Sequence, residues 1–131
     1  MTLLPATTIA GAVTGSVGPT FPTEDLKDLF VEAAFLYGSG GTTVKAWVQT
    51  RVKGGTWRDI MNFAFTTAAA TKWSKVSLGI ALAAARAASD AALADDTILD
   101  GFLGDELRLK YTTTGTYAGA TSLTVLGSAK Y

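Results

Sequence analysis

Between Thr43 and Phe65 the chain reads TVKAWVQTRVKGGTWRDIMNFAF, and hydrophobic and polar positions take turns along its first half. Val44, Ala46, Val48 and Thr50 occupy one parity; Lys45, Trp47, Gln49 and Arg51 occupy the other. A period of two belongs to a strand with one face on a core and the other toward water. Lys53-Gly54-Gly55-Thr56 interrupts the pattern. Adjacent glycines reach positive φ without a Cβ clash, so this spacing predicts a hairpin. The second arm alternates less cleanly: Trp57, Met61, Phe63 and Phe65 share a parity, and Ile60 falls on the other. Either that strand is buried on both faces near its start, or a bulge resets its register. The hairpin over 43–65 is predicted to lie at the centre of an antiparallel sheet.

Around it the same pattern recurs. Residues 2 to 10 set Leu3, Leu4 and Ile9 among threonines and alanines, enough for one edge strand. Residues 11 to 22, GAVTGSVGPTFP, are rich in glycine and proline, and Pro19 and Pro22 cannot serve in a central strand. An extended N-terminal arm is expected over 1–22, ahead of a β domain over 23–131. As a surface loop the arm needs no partner; as a contact it would lie on a neighbouring subunit through Val17 and Phe21. Over 26–37 a helix competes, because Leu, Glu and Ala favour it and Thr23 could cap it. The wholly apolar set Leu29, Val31, Ala33, Phe35 and Tyr37, followed by a GSGGT turn, favours a strand.

Val76, Leu78, Ile80 and Leu82 alternate in the next strand, with Trp73 on the opposite parity. The alanine-rich AAARAASDAALADD after it suits a short surface helix or an ordered loop equally. ILDGFLG, over 98–104, reads as a pinned loop. Leu107, Leu109 and Tyr111, then Leu123 and Val125, mark two last strands flanking a TTTGTYAGAT tip. About seven strands at this spacing predict an all-β fold, a single antiparallel β-sandwich of jelly-roll-like form.

Composition narrows the chemistry. A chain of 131 residues suits one domain, and 48% hydrophobic residues are too many for wholesale disorder. No cysteine is present, which removes disulfides and thiolate metal sites. No histidine is present, which removes the commonest general base and metal ligand and every triad built on one. No Walker loop, dinucleotide fingerprint or zinc spacing occurs, and Gly38-Ser39-Gly40-Gly41 joins two strands as a turn. The expectation is a protein without catalytic residues, cofactor or metal. Zero formal net charge recruits neither nucleic acid nor an anionic membrane. MTLLPATTIAGAV lacks the basic start of a signal peptide. The apolar region from Val76 to Ala94 contains Arg86, Ser89 and Asp90 and is not a membrane span.

The charges are nonetheless segregated. Asp90, Asp95, Asp96, Asp100, Asp105 and Glu106 fall in a stretch without Lys or Arg. Lys45, Arg51, Lys53, Arg58, Lys72 and Lys75 fall in a stretch whose one acid is Asp59. The acids read as solvated carboxylates and loop caps; their spacing is not that of an EF-hand. A further reading is contact between subunits, with Arg51, Lys53 and Arg58 of one facing Asp95, Asp96, Asp100 and Asp105 of the next. Trp47, on the solvent parity, marks a contact surface or a second packed layer. Aromatic rings on a β-face also stack on sugars, so a carbohydrate-binding adhesion module is an alternative of another class.

The order of strand, glycine-rich loop, TVKAWVQT strand, GGTW turn and GFLGDELRLKYTTTGTYAG segment resembles small virion proteins encoded in tailed-bacteriophage structural gene clusters. In those, a DGG-x-TW hairpin and a GILGD-x-xRVK-x-TxTGTYAG segment recur. The likeness spans roughly residues 26 to 131. Val52-Lys53 stand where that pattern has an aspartate before the glycines, so no calcium-binding turn is implied here. The resemblance implies a β-sandwich that coats or joins the virion, as a capsid decoration (cement) protein on the capsid exterior, assembled in the host cytoplasm. Its implied partners are the major capsid protein and copies of itself in a homotrimer. A neck, tail or baseplate position is the alternative, and no catalytic residue is supplied.

Overall fold

The computed structural model describes residues 1–82 and 84–131. Among these the chain is all β, with eleven strands and no helix. They are β1 (Thr2–Thr8), β2 (Ser16–Val17), β3 (Phe21–Pro22), β4 (Asp28–Leu36), β5 (Ser39–Gly40), β6 (Thr43–Arg51), β7 (Arg58–Phe65), β8 (Ala70–Ser77), β9 (Glu106–Thr114), β10 (Tyr117–Ala118) and β11 (Ser122–Lys130). The count exceeds the expected seven because β2, β3, β5 and β10 are two-residue pairings, too short to carry an alternating pattern.

All pairings are antiparallel. The first sheet has the order β1-β11-β4-β8 and the second β2-β9-β6-β7, with β3 also on β9; β5 and β10 form a small ribbon. The two large sheets share one core. Leu29, Val31, Ala33 and Phe35 of β4 and Leu123 and Val125 of β11 belong to the same buried cluster as Val44, Ala46 and Val48 of β6 and Leu107 and Leu109 of β9. Phe35 stacks on Phe65 across the layers at 5.1 Å between centroids. Tyr117 meets the edges of Phe35 and Tyr37 and donates its hydroxyl to Thr66 O at 2.7 Å. Burial, reinforced by Tyr37, pushes its phenol above the ordinary value. Gly41, at φ +71°, lies against the Tyr117 ring, where a Cβ would collide.

The 43–65 hairpin forms as its glycines require, but it is not central as expected: only β6 is interior to its sheet, and β7 is the edge strand. Gly55 N–H donates to Val52 O at 2.7 Å, and Gly54 takes φ +76° at the turn's third position. Both sequence alternatives for β7 are realised together. Val48 pairs with Met61 and Gln49 with Asp59, so Ile60 is the extra residue of a bulge, and Asp59 through Phe63 are all buried. The 26–37 segment is a strand, with Leu29, Val31, Ala33 and Phe35 as its buried face.

The strand expected over 72–82 ends at Ser77, so Leu78, Ile80 and Leu82 lie beyond it. Of the two forms the alanine-rich stretch suited, its described residues take the loop, within the connection between β8 and β9. Ala91 takes φ +55°, a left-handed conformation that stops a helix. Residues 2–8 form the expected edge strand, and residues 11–22 do not stand off as an arm. β1 pairs with β11, β2 and β3 pair with β9, and Leu3, Leu4 and Ile9 join the core. Gly18 lies close against Leu3 O, tucking the segment between the two sheets' edges. The sequence pattern missed this because glycines and prolines break local periodicity without preventing short pairings.

Removal of residues 1–22 therefore strips three core side chains and the strands β1, β2 and β3, and the truncated chain is expected not to unfold cooperatively. Leu3→Ala alone should cost about 2–5 kcal/mol, measured by chemical denaturation with circular dichroism at β wavelengths.

Candidate functional site

The outer face of the second sheet carries the polar parity of β6, β7 and β9: Trp47, Gln49, Asp59, Asn62, Arg108 and Lys110. Most of it is not open to water. Trp47 is only 5% exposed, and Gln49, Asp59 and Asn62 are buried. Within the connection between β8 and β9, residues 90–96 fold over this face. The connection also runs along the free edge of β7: Asp59 N–H donates to Ser89 O at 2.8 Å, Asn62 N–H to Thr97 O at 2.9 Å, and Leu99 N–H to Ile60 O at 2.8 Å. Met61 and Ile98 form a bridge there. An edge that would template pairing with another chain is thereby occupied.

Asp59 anchors the roof. Its Oδ1 accepts Gln49 Nε2 at 2.8 Å and Ala91 N–H at 3.0 Å; its Oδ2 accepts Ala92 N–H at 2.9 Å and Leu93 N–H at 3.1 Å. Three successive N–H groups converging on one anion form a nest, a backbone concavity that favours negative charge. Trp47 Nε1 donates to Leu93 O at 3.1 Å, closing the same turn from the other side. Gln49 Nε2 also reaches Asp90 Oδ1 at 2.7 Å, and Gln49 Oε1 accepts Arg108 Nε at 2.8 Å. Lys110 Nζ donates to Asp90 Oδ1 at 2.9 Å. The hydrogen bonds from Lys110 and Gln49 hold the Asp90 carboxyl below its ordinary value. Burial, opposed by Asp90 and aided by Arg51, holds the Arg108 guanidinium below its own. Arg51 and Arg108 both lie over the Trp57 ring, 4.5 and 4.3 Å from its centroid.

The segregated charges meet inside one chain. Lys45 pairs with Asp95 at 3.0 Å, Arg51 with Glu106 at 3.1 Å, Lys72 with Asp96 at 2.9 Å and Lys110 with Asp90 at 2.9 Å. Asp96 Oδ1 also accepts Ala64 N–H at 3.1 Å. Asp100 Oδ1 accepts Ser77 N–H at 2.6 Å and Gly101 N–H at 2.8 Å, and Asp105 Oδ2 accepts the N–H of Lys53 at 2.9 Å. Where the sequence suggested basic hairpin against the acidic loop of another subunit, the structure folds the acidic connection onto the basic hairpin of its own subunit. Among the described residues no three acidic side chains converge as a metal cluster would require.

The remaining expected site residues are scattered. Val17 is 51% exposed on β2, and Phe21 on β3 is half-buried against the core. Trp47 is packed under the roof and Trp73 lies exposed on the other sheet, so the two do not share a sugar-stacking platform. Arg58 lies 4.8 Å over the Phe102 ring, and its Nε is buried without a partner. With Ile60, Leu82, Leu99 and Phe102, and with Asp59 and Asp100, it lines a cavity of about 300 Å³. Sequence reading missed the central role of Asp59. The available signal was one acid in an otherwise basic and apolar hairpin.

No protein-family model, curated protein or solved structure matches the chain.

Asp59→Ala leaves three N–H groups without their acceptor and removes one of the two acceptors of Gln49 Nε2; at about 1–3 kcal/mol per stranded group, a loss of at least about 3 kcal/mol is expected. Hydrogen exchange at residues 91–93 should accelerate with it. Asp90 gives a pH signature. Its folded pKa is depressed, so its stabilisation is present above the ordinary value of 3.8 and is lost as pH falls through the lower folded value. The melting-temperature advantage of the intact protein over Asp90→Asn, present at neutral pH, should shrink below that point.

Proposed function

We propose that this chain is a non-enzymatic structural protein of a tailed-bacteriophage virion. On this reading it is a capsid decoration protein whose jelly-roll-like sandwich attaches to the outside of the head shell and stabilises it. The observation that carries the reading is the end of the fold where the 52–57 turn, the 78–82 segment and residues 99–105 meet. Val52, Leu78, Ile80 and Leu82 are all exposed there. Gly101 lies against Ile80 O and the Leu82 side chain, and Gly104 against the backbone of Arg51 and Val52, so the segments carrying Val52, Ile80 and Leu82 all meet the 101–104 stretch. Loop tips of a solitary domain are ordinarily polar; a cluster of large aliphatics fits attachment to another protein. Each such contact is weak, and many copies on a repeating shell make the whole strong.

The resemblance of residues 26–131 to phage virion proteins supports the same reading. Its two motif stretches touch at this end of the fold: the Gly54-Gly55 turn and the start of β9 are joined by the Lys53–Asp105 hydrogen bond. The partners on this reading are the major capsid protein and copies of the chain itself, on a virion assembled in the host cytoplasm. A neck, tail or baseplate position belongs to the same class and differs only in where the protein is found.

The test mixes purified protein with undecorated heads and with tails, and images where it binds. Saturable occupancy of the shell is expected, with Ile80→Asp combined with Leu82→Asp weakening it at least tenfold while the domain stays folded. Binding confined to tails moves the protein to that position; no binding by folded protein to either overturns the proposal.

A further inference from the structure

The pairing of β6 with β7 puts Arg58 on the core side of its strand. It lies opposite Thr50, and residues opposite one another in a pair share a face. Thr50 continues the buried parity of Val44, Ala46 and Val48, so the Arg58 side chain leaves β7 toward the interior, at the end of the sandwich. There the guanidinium lies 4.8 Å over the Phe102 ring and lines the cavity of about 300 Å³ with Ile60, Leu82 and Leu99.

A cation on that side needs acceptors. Arg51 and Arg108, on the roofed face, find them in Glu106 and Gln49. Arg58 does not. Its Nε is shut off from solvent without a partner, and the guanidinium takes part in no salt bridge or hydrogen bond among the described residues. The contact with Phe102 engages its charge and fixes its plane but uses none of its N–H groups. Formal charges around the cavity cancel, Arg58 and Arg86 against Asp59 and Asp100. The acids, however, are engaged elsewhere. Asp59 turns both oxygens to Gln49 and the N–H groups of residues 91–93, and Asp100 holds the N–H groups of Ser77 and Gly101 on Oδ1. Neither forms a salt bridge with either arginine among the described residues.

We propose that this cavity binds a small monocarboxylate with an apolar body, its carboxylate on Arg58 and its apolar end among Ile60, Leu82 and Leu99. A guanidinium presents parallel N–H donors that match the two oxygens of a carboxylate, and a bond between ions is stronger than a neutral one. The Phe102 ring holds the guanidinium plane before anything binds, so little freedom is lost on binding. Arg86 adds a second positive charge to the lining. The volume is at the lower end of small-molecule sites, about 300–1,000 Å³. It takes roughly ten non-hydrogen atoms at about 30 Å³ each, the share of a water in the liquid. A dianion would set its second charge against aliphatic side chains, and a cation would meet two arginines. The site lies within one copy of the chain and is measured without virions, so this inference and the decoration reading can fail separately.

The experiment titrates the full chain with hexanoate and with two matched controls, neutral hexanamide and cationic hexylamine, followed by two-dimensional amide NMR. Hexanoate should shift residues 58–60 and 99–102 along one saturable curve, at least tenfold tighter than hexanamide, and hexylamine should leave them in place. Arg58→Met should bring hexanoate down to the affinity of hexanamide, which itself stays unchanged. Arg58→Lys keeps the charge without the parallel donors and should fall between. The comparison of the three probes on the unsubstituted chain decides the matter even where a variant does not fold. No saturable shift, equal affinity for hexanoate and hexanamide, preference for hexylamine, hexanoate shifts confined to other lysines and arginines, or unchanged hexanoate affinity in folded Arg58→Met overturns the inference.

Discussion

Asp59 stands buried at the start of β7, and an ionised carboxylate there requires donors that the sheet itself cannot supply in full. One comes from Gln49; three come from consecutive backbone N–H groups of a distant connection. Charge-assisted bonds of this kind are the strongest polar contacts available to a protein. They account for the conformation of a segment that has little else to hold it. Alanines at 91 and 92 bring almost no side chain to bury, and Ala91 accepts a left-handed φ because its N–H is held by the carboxylate. Once the turn is pinned, the rest of the connection follows the edge of β7 and the cover over Trp47 and Gln49 is complete.

The two large sheets thus solve the same problem in opposite ways. Each has an inner face in the common core and an outer face with polar parity. On the second sheet the outer face is roofed by the chain's own connection, and nearly every charge there finds a partner within the molecule. On the first sheet the outer face carries the stacked Phe30–Trp73 pair among polar side chains and charged ones that hold no partner among the described residues.

The surface ion pairs of the roof contribute modestly to stability, about 0–1 kcal/mol each. Lys45–Asp95 and Lys72–Asp96 are substantially solvated. Their effect is on position: they hold the connection in register with β6 and β8 while Asp59 holds its centre. The segregation of acids and bases along the chain is the trace of this internal fit. A connection that must lie on a basic face is acidic.

Much of the fold was legible because alternation is local. The buried parity of β4, of β6 and of β9 is set by side chains two residues apart, and the Gly54-Gly55 turn by the two glycines' own φ freedom. Even the broken alternation at Ile60 announced the bulge and the two-sided burial that both occur. What only the tertiary structure decided is every relation between distant positions. Trp47 sits on a solvent parity and is buried, because a segment 46 residues away lies on it. Residues 11–22 read as an arm and pair onto β9, because pairings of two residues carry no periodic signal. The alanine-rich stretch suited a helix or a loop equally, and residues 91–93 take the loop because Asp59, 32 to 34 residues before them, offers their N–H groups an acceptor. Propensity and period act between neighbours; which carboxylate meets which N–H depends on the path of the whole chain.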